Sequence, residues 1–371
     1  MTIRIEAYRC EHEPAVHEFN QRLLAGGAGL DVIFHPKPDW LPPGSGRSLY
    51  NEYFVAIEGS VVRGGYALKH QDFSFRTGDI RSITYYHHPV SEGIVNKSFA
   101  PVGGLLLRDA LRRAPSLYCL GMGGYDRALP KILVRQRWSH YLIPFFFRVV
   151  NARKFLREIQ LLRTSTWRRL LMDLLGSTGV GSVAVEALRR IAWMRSRLLA
   201  PFAVEPVQEF SDWVDPLWNA GRGAHAMTAV RDSKTLRVLY PRTDQHLARL
   251  RLIRDGKDIG WAVVGERRKD PRYGCLRVGS IVDCWAGEEN ACAVIGAATR
   301  ALEDRGMDLI VTNQSYHTWC KAVRVNGFRQ GPSNFIFAAS KDLARLLEPF
   351  EETRQQMHFT RADGDGLPRN F

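Results

Sequence analysis

Apolar and polar positions along the chain fall into a pattern that occurs twice. Two strand-like runs, Phe54 to Gly59 and Val61 to Leu68, meet at an acidic residue followed by glycine, which predicts a β-hairpin. Leu250 to Gly256 and Ile259 to Val264 repeat it. After each hairpin comes a further strand, Arg81 to Tyr86 or Arg277 to Asp283, and then a polar loop. The loops open helices over Val102 to Arg113 and Ala291 to Arg305, with Leu106, Leu107 and Leu111 at helical spacing in the first. A short apolar strand follows each helix, Leu117 to Leu120 and Leu309 to Thr312, and then a second helix. A corner at Trp138 or at Gly327 and Phe328 leads to a last apolar strand, Ile143 to Val150 or Phe335 to Ala339. The offset between copies is about 190 to 200 residues, the signature of an internal repeat.

A length of 371 residues also suits two cores better than one. The expected organisation is a first domain over 1–151, a basic helical linker or hairpin over 152–203, a second domain over 204–345 and a tail over 346–371 that frays from Arg361 onward. The linker holds ten basic residues against three acidic ones, so it carries half of the net charge of +14. Leu188, Ile191, Met194 and Leu198 fall on one side of its helix and Arg189, Arg190 and Arg197 on the other. Such a cationic face suits phosphate-bearing partners: an anionic membrane surface touched through residues 153–197, or transfer RNA. A composition of 45% hydrophobic and 24% charged residues excludes disordered and collagen-like classes. The densest apolar run, Tyr141 to Phe147, is broken by Pro144 and falls far short of the roughly 20 residues that a spanning helix needs. Six cysteines without a CxxC pair, and no signal-peptide pattern after Met1, lead to the expectation of a cytoplasmic protein with free thiols, peripheral at the inner membrane face if the linker binds lipid.

Hairpin, strand, polar loop, helix, buried strand, helix, Gly-Phe corner and last strand form an order that resembles the GNAT acyltransferase superfamily, and its duplication resembles tandem-GNAT and Fem-type transferases. The stretches Val311-Thr312-Asn313 and Val325 to Phe328 look like that family's fifth strand and late corner. The resemblance implies an α/β fold of two GNAT-like domains, each with a mixed, mostly antiparallel sheet flanked by helices. It also implies a coenzyme A pantetheine between the splayed fourth and fifth strands, with its diphosphate on the amides that open the next helix. Helix N-termini favour anions for general electrostatic reasons. Lys97, Val102, Gly103 and Gly104 stand at that position in the first half. Gly287 followed by Glu288 and Glu289 stands there in the second, and those carboxylates would repel a diphosphate. The family's acid tyrosine, four residues before the corner glycine, is replaced by Val323 and, in the first half, Leu133.

Transfer of an acyl group to an amine needs a base and donors for a tetrahedral oxyanion. His87, His88 and Glu92 supply candidate bases just before the glycine pair, with Tyr85 beside them for substrate. Tyr125 and Asp126 follow the Gly121 to Gly124 turn, and Asp283, Asn313, Tyr316 and His317 hold the matching places in the second half. Neither HExxH nor a cysteine-rich spacing is present, so no metal is expected. The Gly121 turn and the stretch Gly176 to Ser182 lack the spacing of nucleotide-binding loops and read as turn and linker. The sequence thus leads to an acyl-CoA-dependent N-acyltransferase, with acetyl-CoA or another acyl-CoA as co-substrate and an amino sugar or related cell-envelope polysaccharide precursor as acceptor. An aminoacyl-tRNA-dependent Fem-type transferase and a non-catalytic tandem-GNAT scaffold are the other readings.

Overall fold

The computed structural model describes residues 2–29, 33–34, 48–158, 201–266 and 274–364. The strands are β1 (Arg4–Ala7), β2 (Tyr50–Glu58), β3 (Val61–Phe75), β4 (Ile80–Ser91), β5 (Leu117–Gly121), β6 (Ser139–Leu142), β7 (Phe145–Val149), β8 (Ala203–Val207), β9 (Met227–Ala229), β10 (Leu247–Arg254), β11 (Lys257–Glu266), β12 (Val278–Ala286), β13 (Leu309–Asn313), β14 (Arg329–Gly331) and β15 (Ile336–Ala339). The helices are α1 (Glu13–Ala25), α2 (Ala100–Arg113), α3 (Ala128–Arg135), α4 (Ala152–Glu158), α5 (Val214–Gly221), α6 (Ser233–Leu239), α7 (Ala291–Asp304), α8 (His317–Val325), α9 (Lys341–Leu346) and α10 (Phe350–Thr353). Both predicted hairpins form. Gly59 turns the first, with φ of 62°, and Asp255 and Gly256 turn the second, with φ of 51° and 73°.

The chain folds as two compact units: residues 1–73, 80–141 and 336–350 make the first, and 74–79, 142–335 and 351–371 the second. Strands of the first unit lie in the order β1-β2-β3-β4-β5-β15-β6, and those of the second in the order β14-β7-β13-β12-β11-β10-β8. Each repeat thus gives its last long strand away. β15 pairs antiparallel with β5, Ile336 opposite Gly121 and Ala339 opposite Tyr118, and β7 pairs antiparallel with β13, Leu309 opposite Val149 and Asn313 opposite Phe145. The apolar run predicts a last strand in each copy, but it carries no information about which edge that strand joins. Most of the basic linker, residues 159–200, lies outside the described residues, and with it the cationic face expected there.

Helix α2 seals one face of the first sheet. Leu106, Leu107 and Ala110 pack there on Phe54, Tyr66, Leu68 and Tyr86. α1 covers part of the other face through Val16, Phe19 and Leu23 against Val55, Ile57 and Val90. In the second unit α7 and α8 bury Val294, Ala298, Leu302 and Trp319 with Leu252, Ile281 and Phe328.

Arg361 to Gly364 are not a frayed tail. Residues Met357 to Asp363 are buried, and Arg231 explains why. Its guanidinium, 1% exposed, binds Asp283 at 3.1 Å and Asp363 at 2.8 Å, so the segment carries a carboxylate that a buried cation requires. Burial, and the second carboxylate on the same guanidinium, push Asp283 above the usual carboxylate range against the pull of Arg231. The acidic Asp363 had read as tail because its partner lies 132 residues earlier in the chain.

Beside that network, His358 stacks on His225 at 5.0 Å, within a cage of Trp285, Trp319 and Tyr316. Nδ1 of His225 and Nε2 of His358 have no hydrogen-bond partner among the described residues. Burial drives the His225 pKa down to about 3 and holds His358 well below its ordinary value, so both are neutral.

Two outcomes follow for stability. Asp363→Ala leaves Arg231 with one carboxylate fewer and should cost about 3 kcal/mol or more in urea unfolding of the full chain; a loss under about 1 kcal/mol would show that the segment is not part of the core. An unfolded imidazole titrates near 6.5, so between that pH and about 3 the unfolded chain takes up a proton that folded His225 refuses. Stability should therefore fall from pH 7 to pH 5 by up to about 1.4 kcal/mol per unit for each histidine. Urea midpoints of His225→Phe should fall less steeply over that window, and an equal slope would refute the assignment.

Candidate functional site

In each unit two strands run parallel for a few residues and then part. β4 and β5 share only the rungs Thr84–Leu117 and Tyr85–Tyr118, although β4 continues to Ser91. β12 and β13 share Val278–Leu309, Gly279–Ile310 and Ser280–Val311, and β12 continues to Ala286. Parting exposes backbone donors and acceptors that must find another partner.

In the second unit the chain itself supplies that partner. Ser315, just past β13, donates its N–H to the carbonyl of Phe359 at 3.2 Å and its hydroxyl to that of Met357, and accepts from the Phe359 N–H at 2.7 Å. Thr360 donates to Asp283 on β12 at 3.0 Å, and Arg361 donates to Asn313 on β13 at 2.8 Å. Residues 357–363 thereby bridge both strands beyond their last shared rung. The roles expected for Asp283 and Asn313 are corrected accordingly. Asp283 is 0% exposed and taken by Arg231, Tyr240 and Thr360, and Asn313 is taken by Arg361 and the Pro144 carbonyl, so both hold the core. Tyr316 is buried and donates its hydroxyl to Glu288, whose other oxygen accepts from Thr318 at 3.1 Å. That bond holds the Glu288 carboxyl below its usual range, and burial together with Glu288 pushes the Tyr316 hydroxyl up to about 12. His317 is exposed at the first turn of α8, its ring 4.4 Å from that of Tyr316.

In the first unit one link across the strands is the Tyr85 hydroxyl, which donates to the Leu120 carbonyl at 2.8 Å. Tyr85 stacks on Tyr118 at 5.1 Å, and Tyr118 on Phe337 of β15 at 6.1 Å, so an aromatic wall crosses three strands. His87 is 7% exposed, with its ring 5.2 Å from Tyr85. His88 takes φ of 48°, a left-handed conformation uncommon for histidine, and its Nε2 lies 2.7 Å from the Ile33 carbonyl. This kink separates Tyr86, which packs under α2, from Val90, which packs under α1.

Glu92 is placed differently from the base expected of it. Arg63 holds it at 2.9 Å and Arg22 at 3.3 Å, so both of its oxygens are engaged by guanidiniums. It ties α1 and β3 to the loop that precedes α2. Lys97 is exposed in a single 3-10 turn before that helix, where the Asn96 side chain accepts from the Ser98 N–H at 3.0 Å. Gly103 and Gly104 are the fourth and fifth residues of α2, so their amides enter the helical ladder. No side chain caps α2, Pro101 occupies its first turn and the Ala100 N–H donates to the Lys97 carbonyl, which leaves the amide of Val102 as the one nearest an incoming anion; the Val102 side chain is 1% exposed. A Cβ at Gly103 would meet only Ser91 Oγ at 3.7 Å, and at Gly104 nothing within 4 Å. These glycines therefore do not serve close helix packing. Tyr125 and Asp126 are exposed, with the Tyr125 hydroxyl 2.8 Å from Nδ1 of His140.

Strand alternation gathers polar side chains that the sequence pattern had not singled out. Phe54, Leu68 and Tyr86 face α2, so Asn51, Lys69, Gln71 and His87 share the opposite face of β2, β3 and β4. Asn51 lies opposite Lys69, each is 1% exposed, and Gln71 Oε1 is buried with no partner among the described residues. The signal was present in the sequence as polar residues inside strands of otherwise apolar alternation. Among the described residues no group of three or more His, Cys, Asp or Glu is arranged to hold a metal ion.

No protein-family model matches the sequence, and no curated protein matches it. Solved structures do. N-myristoyltransferase of Saccharomyces cerevisiae with bound myristoyl-CoA aligns over 91% of this chain and 82% of its own, with a TM-score of 0.55 and 10% identity. A tandem GNAT protein from the clavulanic acid biosynthesis pathway aligns over 91% and 98%, with a TM-score of 0.50 and 10% identity. A GCN5-related N-acetyltransferase from Anabaena variabilis aligns over 94% and 75%, with a TM-score of 0.51 and 10% identity. At such identities the likeness is one of fold, and the fold is the tandem GNAT fold: two mixed α/β units, each with a parting parallel strand pair that leads into a helix.

Proposed function

We propose that the protein is an acyl-CoA-dependent N-acyltransferase whose coenzyme lies in the first unit, between β4 and β5. One observation carries the choice of unit: residues 357–363 occupy the equivalent parting of β12 and β13. Electrostatics agrees, because Glu288 opens the turn before α7, whereas no acidic residue lies in the first turn of α2. The second unit then acts as a support that binds no coenzyme.

In this reading the diphosphate rests on the uncapped start of α2 near Lys97, and the pantetheine runs along β4 towards the kink at His88. The aromatic wall of Tyr85, Tyr118 and Phe337 keeps water from the thioester. The acceptor amine attacks the thioester carbon, a tetrahedral oxyanion forms, and the C–S bond breaks to release the thiolate. His87 is the proposed base, on the face that also carries Asn51, Lys69 and Gln71. That buried polar face is the support for a hydroxyl-rich acceptor such as an amino sugar of a cell-envelope precursor. Glu92 holds the loop in place. Acetyl-CoA is the simplest donor, and longer acyl chains test the depth of the groove.

Titration calorimetry with acetyl-CoA and longer acyl-CoAs should give saturable binding at one site per chain. Gly103→Glu meets no steric obstacle and suits a helix N-terminus, so the variant should fold as well as the parent yet bind at least tenfold more weakly, since the added carboxylate repels the diphosphate. Absence of heat with every donor would end the coenzyme assignment. His87→Ala should lower kcat by about 100-fold or more with little change in the KM for acyl-CoA, the effect expected of a general base; an unchanged kcat would remove His87 from the mechanism.

A further inference from the structure

The first unit holds a cavity about 570 Å³ in volume, lined by Leu111, Arg135, Arg137, Trp138, Lys341 and Asp342 among others. Leu111 lies near the C-terminal end of α2, whose 14 residues span about 20 Å. The helix thus separates this pocket from the groove at its other end. The volume lies within the range of small-molecule sites.

Two of the pocket's cations stand where local rules disfavour them. Arg137 ends α3 with φ of 60°. Its N–H donates to the Val134 carbonyl and that of Trp138 to Leu133, the hydrogen-bond pair of a helix ending that selects glycine. The internal repeat provides the control. At the matching corner after α8, Gly327 takes φ of 81°, with Gly327 bonded to Arg324 and Phe328 to Val323 in the same way. The second repeat uses the residue that geometry favours, and the first puts an arginine in a left-handed conformation instead. Lys341 is the first residue of α9, capped by Ser340, and sits at the positive end of that helix where a cation is unfavourable. Complementing the α3 dipole accounts for Arg135 in its last turn but not for Lys341.

Charge at the pocket is unbalanced. Arg135, Arg137 and Lys341 are exposed and make no ion pair among the described residues. The single carboxylate of the lining, Asp342, is held by Arg345 at 2.7 Å. Local rules broken by two cations that converge on one cavity mark a site kept for its side chains. We infer that this pocket binds a small molecule through a phosphate or diphosphate group, at a place distinct from the acyl-CoA groove.

Pyrophosphate is a suitable probe. Calorimetry should detect its binding to the full chain and to Gly103→Glu alike, because the latter alters only the groove. Arg137→Gly should weaken that binding at least tenfold, and so should Lys341→Ala. Without ligand, Arg137→Gly should melt no lower than the parent, because glycine suits the backbone there, so lost binding could not be put down to misfolding. Undiminished affinity in both pocket variants would overturn the proposal. So would binding that vanishes in Gly103→Glu, which would assign the anion to the groove, or no binding by the parent.

Discussion

Everything in this protein's architecture follows from the early end of one parallel strand pairing in each unit. β4 and β5 keep two rungs and β12 and β13 keep three, and beyond them backbone donors and acceptors face a gap. An unpaired buried amide or carbonyl is costly, so something must fill that gap. The two units fill it differently. In the second, residues 357–363 insert and bond to both strands, held by the Arg231 guanidinium between Asp283 and Asp363. In the first, the Tyr85 hydroxyl satisfies the Leu120 carbonyl and the strands lead on to an uncapped helix. Residues 357–363 fill the parting in the second unit, and the parting in the first is the one at which the coenzyme is proposed to bind.

The same asymmetry shows in the corners and the helix starts. Glu288 and Glu289 open the turn before α7, and Glu288 is used up by Tyr316 and Thr318. The first repeat has no acid at the start of α2, and its loop is held by Glu92 between Arg22 and Arg63. At the late corner the second repeat has Gly327 where the first has Arg137.

Much of the secondary structure was legible in the chain, because hairpins, helices and short buried strands rest on local periodicity and turn chemistry. Asp255 and Gly256, or the apolar spacing of Leu106, Leu107 and Ala110, act over a few residues and leave a readable trace. The candidate site was legible in part. Glu92 is clamped and Asp283 is paired in the core, and both depend on arginines far away in sequence. Asn51, Lys69 and Gln71 leave no comparable trace, since a polar residue in a strand gains meaning only when its face and cross-strand neighbours are known.

The amino-acid sequence alone determined the repeat, the element order within each copy, the likeness to a duplicated GNAT fold and the excess of positive charge, all of which are short-range or compositional properties. Tertiary structure alone decided that β7 and β15 exchange sheets, that the residues around Asp363 belong to the core, and that residues 357–363 bridge β12 and β13. The physical reason is the same in each case. Strand partners and buried ion pairs are chosen by contacts between segments far apart in the chain, and no local pattern of hydrophobic and polar positions encodes which distant partner will be met.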